Sequence, residues 1–188
     1  MAAGNSRRCA LFLSLCLFSG LAYAHVPVDD QIARITAQIR QKPADASLYL
    51  RRGDLYRARG EPAKARDDYL HASRIDPALA GVELRLGILS LEAGEFRKAR
   101  GLFDRYLRKQ PNDVVGLRMR GRALRELGMP AAAAEDFHRA IAALQPPGQA
   151  RPEDYLDWAR ALEAAGGRHR EEAIEALEEG MRALGPIV

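Results

Sequence analysis

Residues 53–77, GDLYRARGEPAKARDDYLHASRIDP, come round again as residues 87–111, GILSLEAGEFRKARGLFDRYLRKQP, and as residues 121–145, GRALRELGMPAAAAEDFHRAIAALQ. At this step of 34 one column holds Gly53, Gly87 and Gly121, and a second holds Gly60, Gly94 and Gly128. Two more hold Ala65, Ala99 and Ala133, then Tyr69, Phe103 and Phe137, while Pro43, Pro77 and Pro111 keep the same step. Coincident columns at one period of about 20–50 residues are the mark of a solenoid, whose units bury their apolar faces on one another.

Within one period the pattern reads as two helices and a tight turn. In the first unit a helix runs from about Ala46 to Arg59 and stops at Gly60. Pro62 starts the next, which runs to Ile75. Glycine at the stop and proline at the start follow from glycine's freedom at positive φ and from the amide donor that proline lacks. Gly94 and Gly128 mark the same stops later, and Pro130 restarts the third unit. Upstream, Asp29 and Asp30 open a helix whose Ile32, Ile35 and Ile39 fall on one face. Pro43 puts that helix in register with the second helix of each later unit, so it reads as a half-repeat covering the open end.

These columns resemble the tetratricopeptide repeat, with its Gly, Tyr, Ala, Phe and Pro signature. Tyr49, Gly53, Tyr56, Gly60, Ala65, Tyr69, Ala72 and Pro77 carry it in the first unit; Leu86, Gly87, Gly94, Ala99, Phe103 and Pro111 carry it in the second. The third keeps Gly121, Leu124, Gly128, Ala133, Phe137 and Ala140, with the proline displaced to Pro146. The resemblance implies an all-α fold, a right-handed α-solenoid of antiparallel helix pairs. The expected organisation is a signal peptide at 1–24, a lead and half-repeat helix at 25–45, and repeats at 46–79, 80–113 and 114–147. A degenerate fourth repeat with a C-terminal cap fills 148–188. There, Pro146, Pro147 and Gly148 break the period, a helix with Tyr155, Trp158 and Leu162 ends at Gly166-Gly167, and a last helix follows. Its acids Glu171, Glu172, Glu175, Glu178 and Glu179 read as a solvated face closing the array, with docking of a basic partner as the alternative.

The N-terminus carries an export pattern. Arg7 and Arg8 precede an apolar run from Cys9 to Leu21, and Ala22-Tyr23-Ala24 is a small-x-small cleavage box before His25. The run is short of the ~20 residues of a membrane span, so cleavage is expected rather than a retained anchor, by Sec-type rather than twin-arginine export. Removal of 24 of the 188 residues leaves 164 without Cys9 and Cys16, and loss of Arg7 and Arg8 takes the formal charge from +4 to +2. The expected mature protein has no cysteine for disulfide, thiolate metal site or nucleophile, and too little charge for nucleic acid. His71, His138 and His169 lie in different repeats without ligand spacing, no phosphate loop or nucleophile motif occurs, and His25 lacks a second histidine for copper. No enzyme, cofactor or metal is expected.

Two columns depart from the pattern together. The residue before the motif glycine is Arg52, Leu86 and Arg120; the residue before the motif aromatic is Asp68, Leu102 and Asp136. An Arg–Asp pair is thus exchanged for Leu–Leu as a unit, which predicts that Arg52 with Asp68, and Arg120 with Asp136, bridge the two helices of their repeats as structural ion pairs.

The resemblance further implies that the first helices line the concave surface and hold the ligand. Their inward columns are Leu50, Asp54 and Arg57; Leu84, Ile88 and Leu91; Arg118, Arg122 and Arg125; and Leu156, Arg160 and Glu163. An apolar middle beside an arginine stripe suits a protein or peptide partner with apolar anchors and carboxylates, since arginine binds carboxylate bidentately. The alternative at the residue level is that local acids such as Glu126 neutralise the stripe. The lysine and asparagine clamp by which some relatives grip a C-terminal carboxylate is missing at Leu50 and Asp54. The functional expectation is a protein–protein interaction scaffold of the bacterial envelope. The alternatives are a module that binds an acidic envelope polysaccharide through the arginines and, more weakly, a subunit that serves only self-assembly.

Overall fold

A computed structural model describes residues 27–79, 81–144 and 149–185. The signal, its cleavage box, His25 and the Pro146–Gly148 break lie outside the described residues. The described residues form nine helices and no strand: α1 Val28–Gln41, α2 Ala46–Ala58, α3 Pro62–Ile75, α4 Gly81–Glu92, α5 Phe96–Lys109, α6 Val114–Glu126, α7 Pro130–Ala142, α8 Pro152–Ala165 and α9 His169–Leu184. Each packs on the next, and the first helices of successive repeats also touch, α2 with α4 and α4 with α6. The chain is an all-α solenoid of helix pairs.

Local chemistry sets the helix ends. The carboxylates of Asp45 and Asp113 cap α2 and α6, accepting from the backbone amides of Ser47 at 3.0 Å and Gly116 at 2.7 Å. In the middle repeat the same column is Leu79, which packs into the core of the first repeat. Gly60, Gly94 and Gly128 end α2, α4 and α6 at φ of 81°, 73° and 70°, a left-handed conformation that side-chain-bearing residues resist.

Packing explains the other glycine column. A Cβ on Gly53 would sit 2.5 Å from the Tyr69 ring, one on Gly87 2.5 Å from Phe103, and one on Gly121 2.8 Å from Phe137. The missing methyl lets each aromatic ring seat against the opposite helix backbone, and all three rings are buried. The fourth repeat inverts this arrangement. Its close approach joins Tyr155 on the first helix to Gly180 on the second, at 2.8 Å for an added Cβ.

Beside each glycine lies a node of three columns. Arg52 donates from Nε and Nη2 to Asp68 at 2.8 and 2.7 Å, and reaches back to Thr36 Oγ1 of the preceding helix at 3.3 Å. Arg120 donates to Asp136 at 2.7 and 2.6 Å, and back to Asp104 at 2.9 Å. Thr36 and Asp104 are two steps of 34 apart, with Leu70 between them. The middle repeat therefore replaces all three members, by Leu70, Leu86 and Leu102. In the fourth repeat the backward contact is an aromatic stack, His138 on Trp158 with ring centroids 4.7 Å apart.

The expectation that α9 closes the array with a polar face needs correction. Its five acids are exposed, but so are Ile174, Leu177, Met181 and Leu184 on a separate stripe of the same helix. An α-helix turns about 100° per residue, so one segment holds a buried alanine face, an acid face and an apolar face.

Candidate functional site

The first helices α2, α4, α6 and α8 join in two charged clasps with an apolar strip between them. The first clasp ties α2 to α4. Asp54 accepts from Arg85 Nε at 2.8 and 2.9 Å and from the Tyr69 hydroxyl at 2.8 Å, while Arg57 donates to Glu92 at 2.7 Å. Burial, followed by the bond to Asp54, raises the pKa of Tyr69 far above that of a free phenol.

The second clasp ties α6 to α8. Arg118 donates to Asp154, a buried carboxylate that also caps α8 by accepting from the Arg151 amide at 2.8 Å. Arg125 donates to Asp157 at 3.0 Å and lies 3.7 Å from Glu126, while Arg122 stands 3.6 Å from Asp157. The arginine stripe is therefore not a free cationic wall. Arg118 holds the start of the fourth repeat and Arg125 shares carboxylates with it; Arg122, with 40% of its side chain accessible, keeps unused capacity. Arg160 is exposed and makes no ion pair among the described residues.

Between α4 and α6 no ion pair occurs among the described residues. Leu84, Ile88 and Leu91 lie there half-buried, packed with Met119 over Ala99, Phe103 and Ala123. Leu50, in the same column as Leu84, is buried in the first repeat and unavailable to a ligand. The face that remains is an apolar strip, with Arg122 one helical turn along α6 from Met119.

Sequence reasoning placed the columns but missed the partners from neighbouring repeats: Arg85 for Asp54, Glu92 for Arg57, and Asp154 and Asp157 for the stripe. Asp154 meets Arg118, and Asp157, three residues on along α8, lies between Arg122 and Arg125. The displaced register after α7 hid that match. Among the described residues no group of three His, Cys, Asp or Glu side chains could hold a metal, and no helix is long and apolar enough to cross a membrane.

A tetratricopeptide-repeat family model matches residues 46–79, and a second matches residues 84–149. The chain belongs to the tetratricopeptide repeat family. No curated protein sequence matches it. Solved structures of several repeat proteins share its fold. Pseudomonas aeruginosa PilF superposes with a TM-score of 0.71 at 17% identity, over 85% of this chain and 70% of PilF. MamA of Desulfovibrio magneticus RS-1 gives 0.70 at 13% identity, over 83% and 85% of the two chains. YrrB, described as a repeat protein with an unusual peptide-binding site, gives 0.64 at 18% identity, over 84% and 78%. At these identities the likeness is one of fold.

Proposed function

We propose that this tetratricopeptide repeat protein is a protein-interaction scaffold of the bacterial envelope, holding a partner segment across α4 and α6. The observation that carries the reading is the half-buried strip of Leu84, Ile88 and Leu91 beside Arg122. Covering such side chains yields ~1.5–3 kcal/mol for each one fully buried. The adjacent guanidinium pairs with a carboxylate on the same segment. The preferred ligand is an extended or helical peptide with two apolar residues and a nearby acid.

An acidic polysaccharide fits less well. It would need several free arginines, and Arg118 and Arg125 are already engaged with Asp154 and Asp157. The envelope assignment rests on the n-region, apolar run and Ala22-Tyr23-Ala24 box. A likeness in fold to YrrB, whose description names a peptide-binding site, favours a peptide ligand.

In-cell photo-cross-linking tests the site. A photoreactive residue at Ile88 or Leu91 should give a discrete protein adduct that Arg122→Glu weakens, while one at Lys98 on α5 should not. Equal adducts from all three positions would remove the groove from consideration. N-terminal sequencing of the protein from the envelope fraction should begin at His25, and recovery of the chain from the cytosol with its N-terminal segment intact would end the envelope assignment.

A further inference from the structure

The second helix of every repeat presents one stripe to the first helix of the next. On α7 that stripe is Ala134, Phe137 and Ile141, continued just past the helix end by Leu144, packed beneath α8, with Ala134 3% and Phe137 2% exposed. A step of 40 carries these four positions to Ile174, Leu177, Met181 and Leu184 on α9. The same step carries the buried Ala133 and Ala140 to the buried Ala173 and Gly180, which fixes the register. No helix covers the α9 stripe among the described residues. Ile174 is 60% and Met181 67% exposed, and a hollow of about 480 Å³ opens between Tyr155, Leu156, Leu177, Met181 and Leu184.

The node column identifies what would sit there. Thr36, Leu70, Asp104 and His138 occupy the position from which a second helix meets the next first helix, and three of them are seen doing so. Thr36 accepts from Arg52, Asp104 accepts from Arg120 at 2.9 Å, and His138 stacks on Trp158. On α9 this position is Glu178, which is exposed and makes no ion pair among the described residues. It stands where Asp104 stands and has the same chemistry, so its natural complement is an arginine delivered as Arg120 is delivered.

We propose that the α9 stripe and Glu178 form a docking seat for an amphipathic helix of a partner protein. That helix lies as the next first helix would, with apolar side chains at three- and four-residue spacing over Ile174, Leu177 and Met181. Its arginine meets Glu178. A second copy of this chain is a poorer occupant. The 3-4-3 spacing of the stripe would let two α9 helices pair antiparallel about a two-fold axis, but that axis brings Glu178 against its own counterpart. The outer face of α1 offers only Ala33 and Ala37 among Asp30, Arg34 and Gln38, too polar to cover the stripe.

A charge-swap titration tests the proposal. The probe is a labelled, helix-stabilised peptide of residues 113–127, the first helix that carries Arg120, read by fluorescence anisotropy against the full chain. Wild-type chain and peptide should bind, and Glu178→Arg in the chain or Arg120→Glu in the peptide should each weaken binding roughly tenfold or more. Combining the two swaps should restore it. Ile174→Glu with Met181→Glu should abolish binding while the circular dichroism spectrum is unchanged, and light scattering should give a monomer. Binding indifferent to both charge swaps, or no binding at all, overturns the proposal. So does a wild-type dimer that Ile174→Glu/Met181→Glu dissociates, because a second copy would then own the seat.

Discussion

The guanidinium of Arg120 clasps the buried carboxylate of Asp136 through two parallel hydrogen bonds, joining the two helices of the third repeat. The bond to Asp136, set against the cost of burial, raises the arginine's pKa further above its already high value. Arg52 and Asp68 repeat the geometry two units earlier, and the repeat between them uses leucines in the same columns.

Breaking one side of this pair should cost far more than replacing both. Asp136→Ala leaves a largely buried guanidinium with only Asp104, and should destabilise the protein by about 3–5 kcal/mol. The double substitution Arg120→Leu/Asp136→Leu copies the middle repeat and should cost less than half as much. Chemical denaturation of the two variants checks the contrast, and equal losses would show that the columns do not act as a unit.

Glycine to alanine should have opposite effects at two helical positions. Gly87→Ala drives a methyl into the Phe103 ring and should destabilise by about 1–3 kcal/mol. Gly101 on α5 has nothing within 4 Å of an added Cβ. Gly101→Ala should stabilise by about 0.5–1 kcal/mol, through helix propensity alone. Paired thermal melts decide the matter.

Alkaline stability should fall in a defined window. Burial, then the neighbouring Asp113, pushes the phenol of Tyr106 from its ordinary value of 10.0 up to about 12, and Tyr69 is raised as well. The folded chain therefore keeps protons that the unfolded chain has released; both contributions are fully present below about pH 10, that of Tyr106 is lost between about pH 10 and 12, and that of Tyr69 falls through the same window and beyond it. Tyr69→Phe/Tyr106→Phe should flatten the pH dependence of the denaturation midpoint over that window, and a slope as steep as wild type would refute the assignment.

Arg118 should matter for the fourth repeat rather than for the whole chain. Arg118→Ala leaves the buried Asp154 with only the more distant guanidinium of Arg151, at 3.4 Å, at the start of α8. In a solenoid each unit depends on its neighbours, so the damage should stay local. Amide exchange should accelerate across α8 and α9 and leave α2 and α3 unchanged; uniform acceleration would mean that Arg118 supports the array as a whole.

Much of the fold was legible because a solenoid writes each contact several times. The Gly53 and Tyr69 columns recur in the first three units, and the Arg52–Asp68 pairing is visible because the middle repeat changes both residues together. The third member of that node was also written there, as Thr36, Leu70 and Asp104, but only its position against Arg52 and Arg120 reveals why it varies. Contacts between first helices of different repeats were not legible. Asp54 meets Arg85, and Asp157 meets Arg125, because of the rotation and rise of one helix pair against the next, which no column of the sequence records.

The sequence by itself determined the helices, their turns and the interior of each pair, since those follow from short-range sterics and from a pattern repeated at one period. The tertiary structure alone decided which charges are spent and which surfaces are free. It took the arginine stripe of α6 largely out of service by laying α8 across it. It also left the apolar stripe of α9 open, because whether a helix face is core or surface depends on whether another helix arrives to cover it.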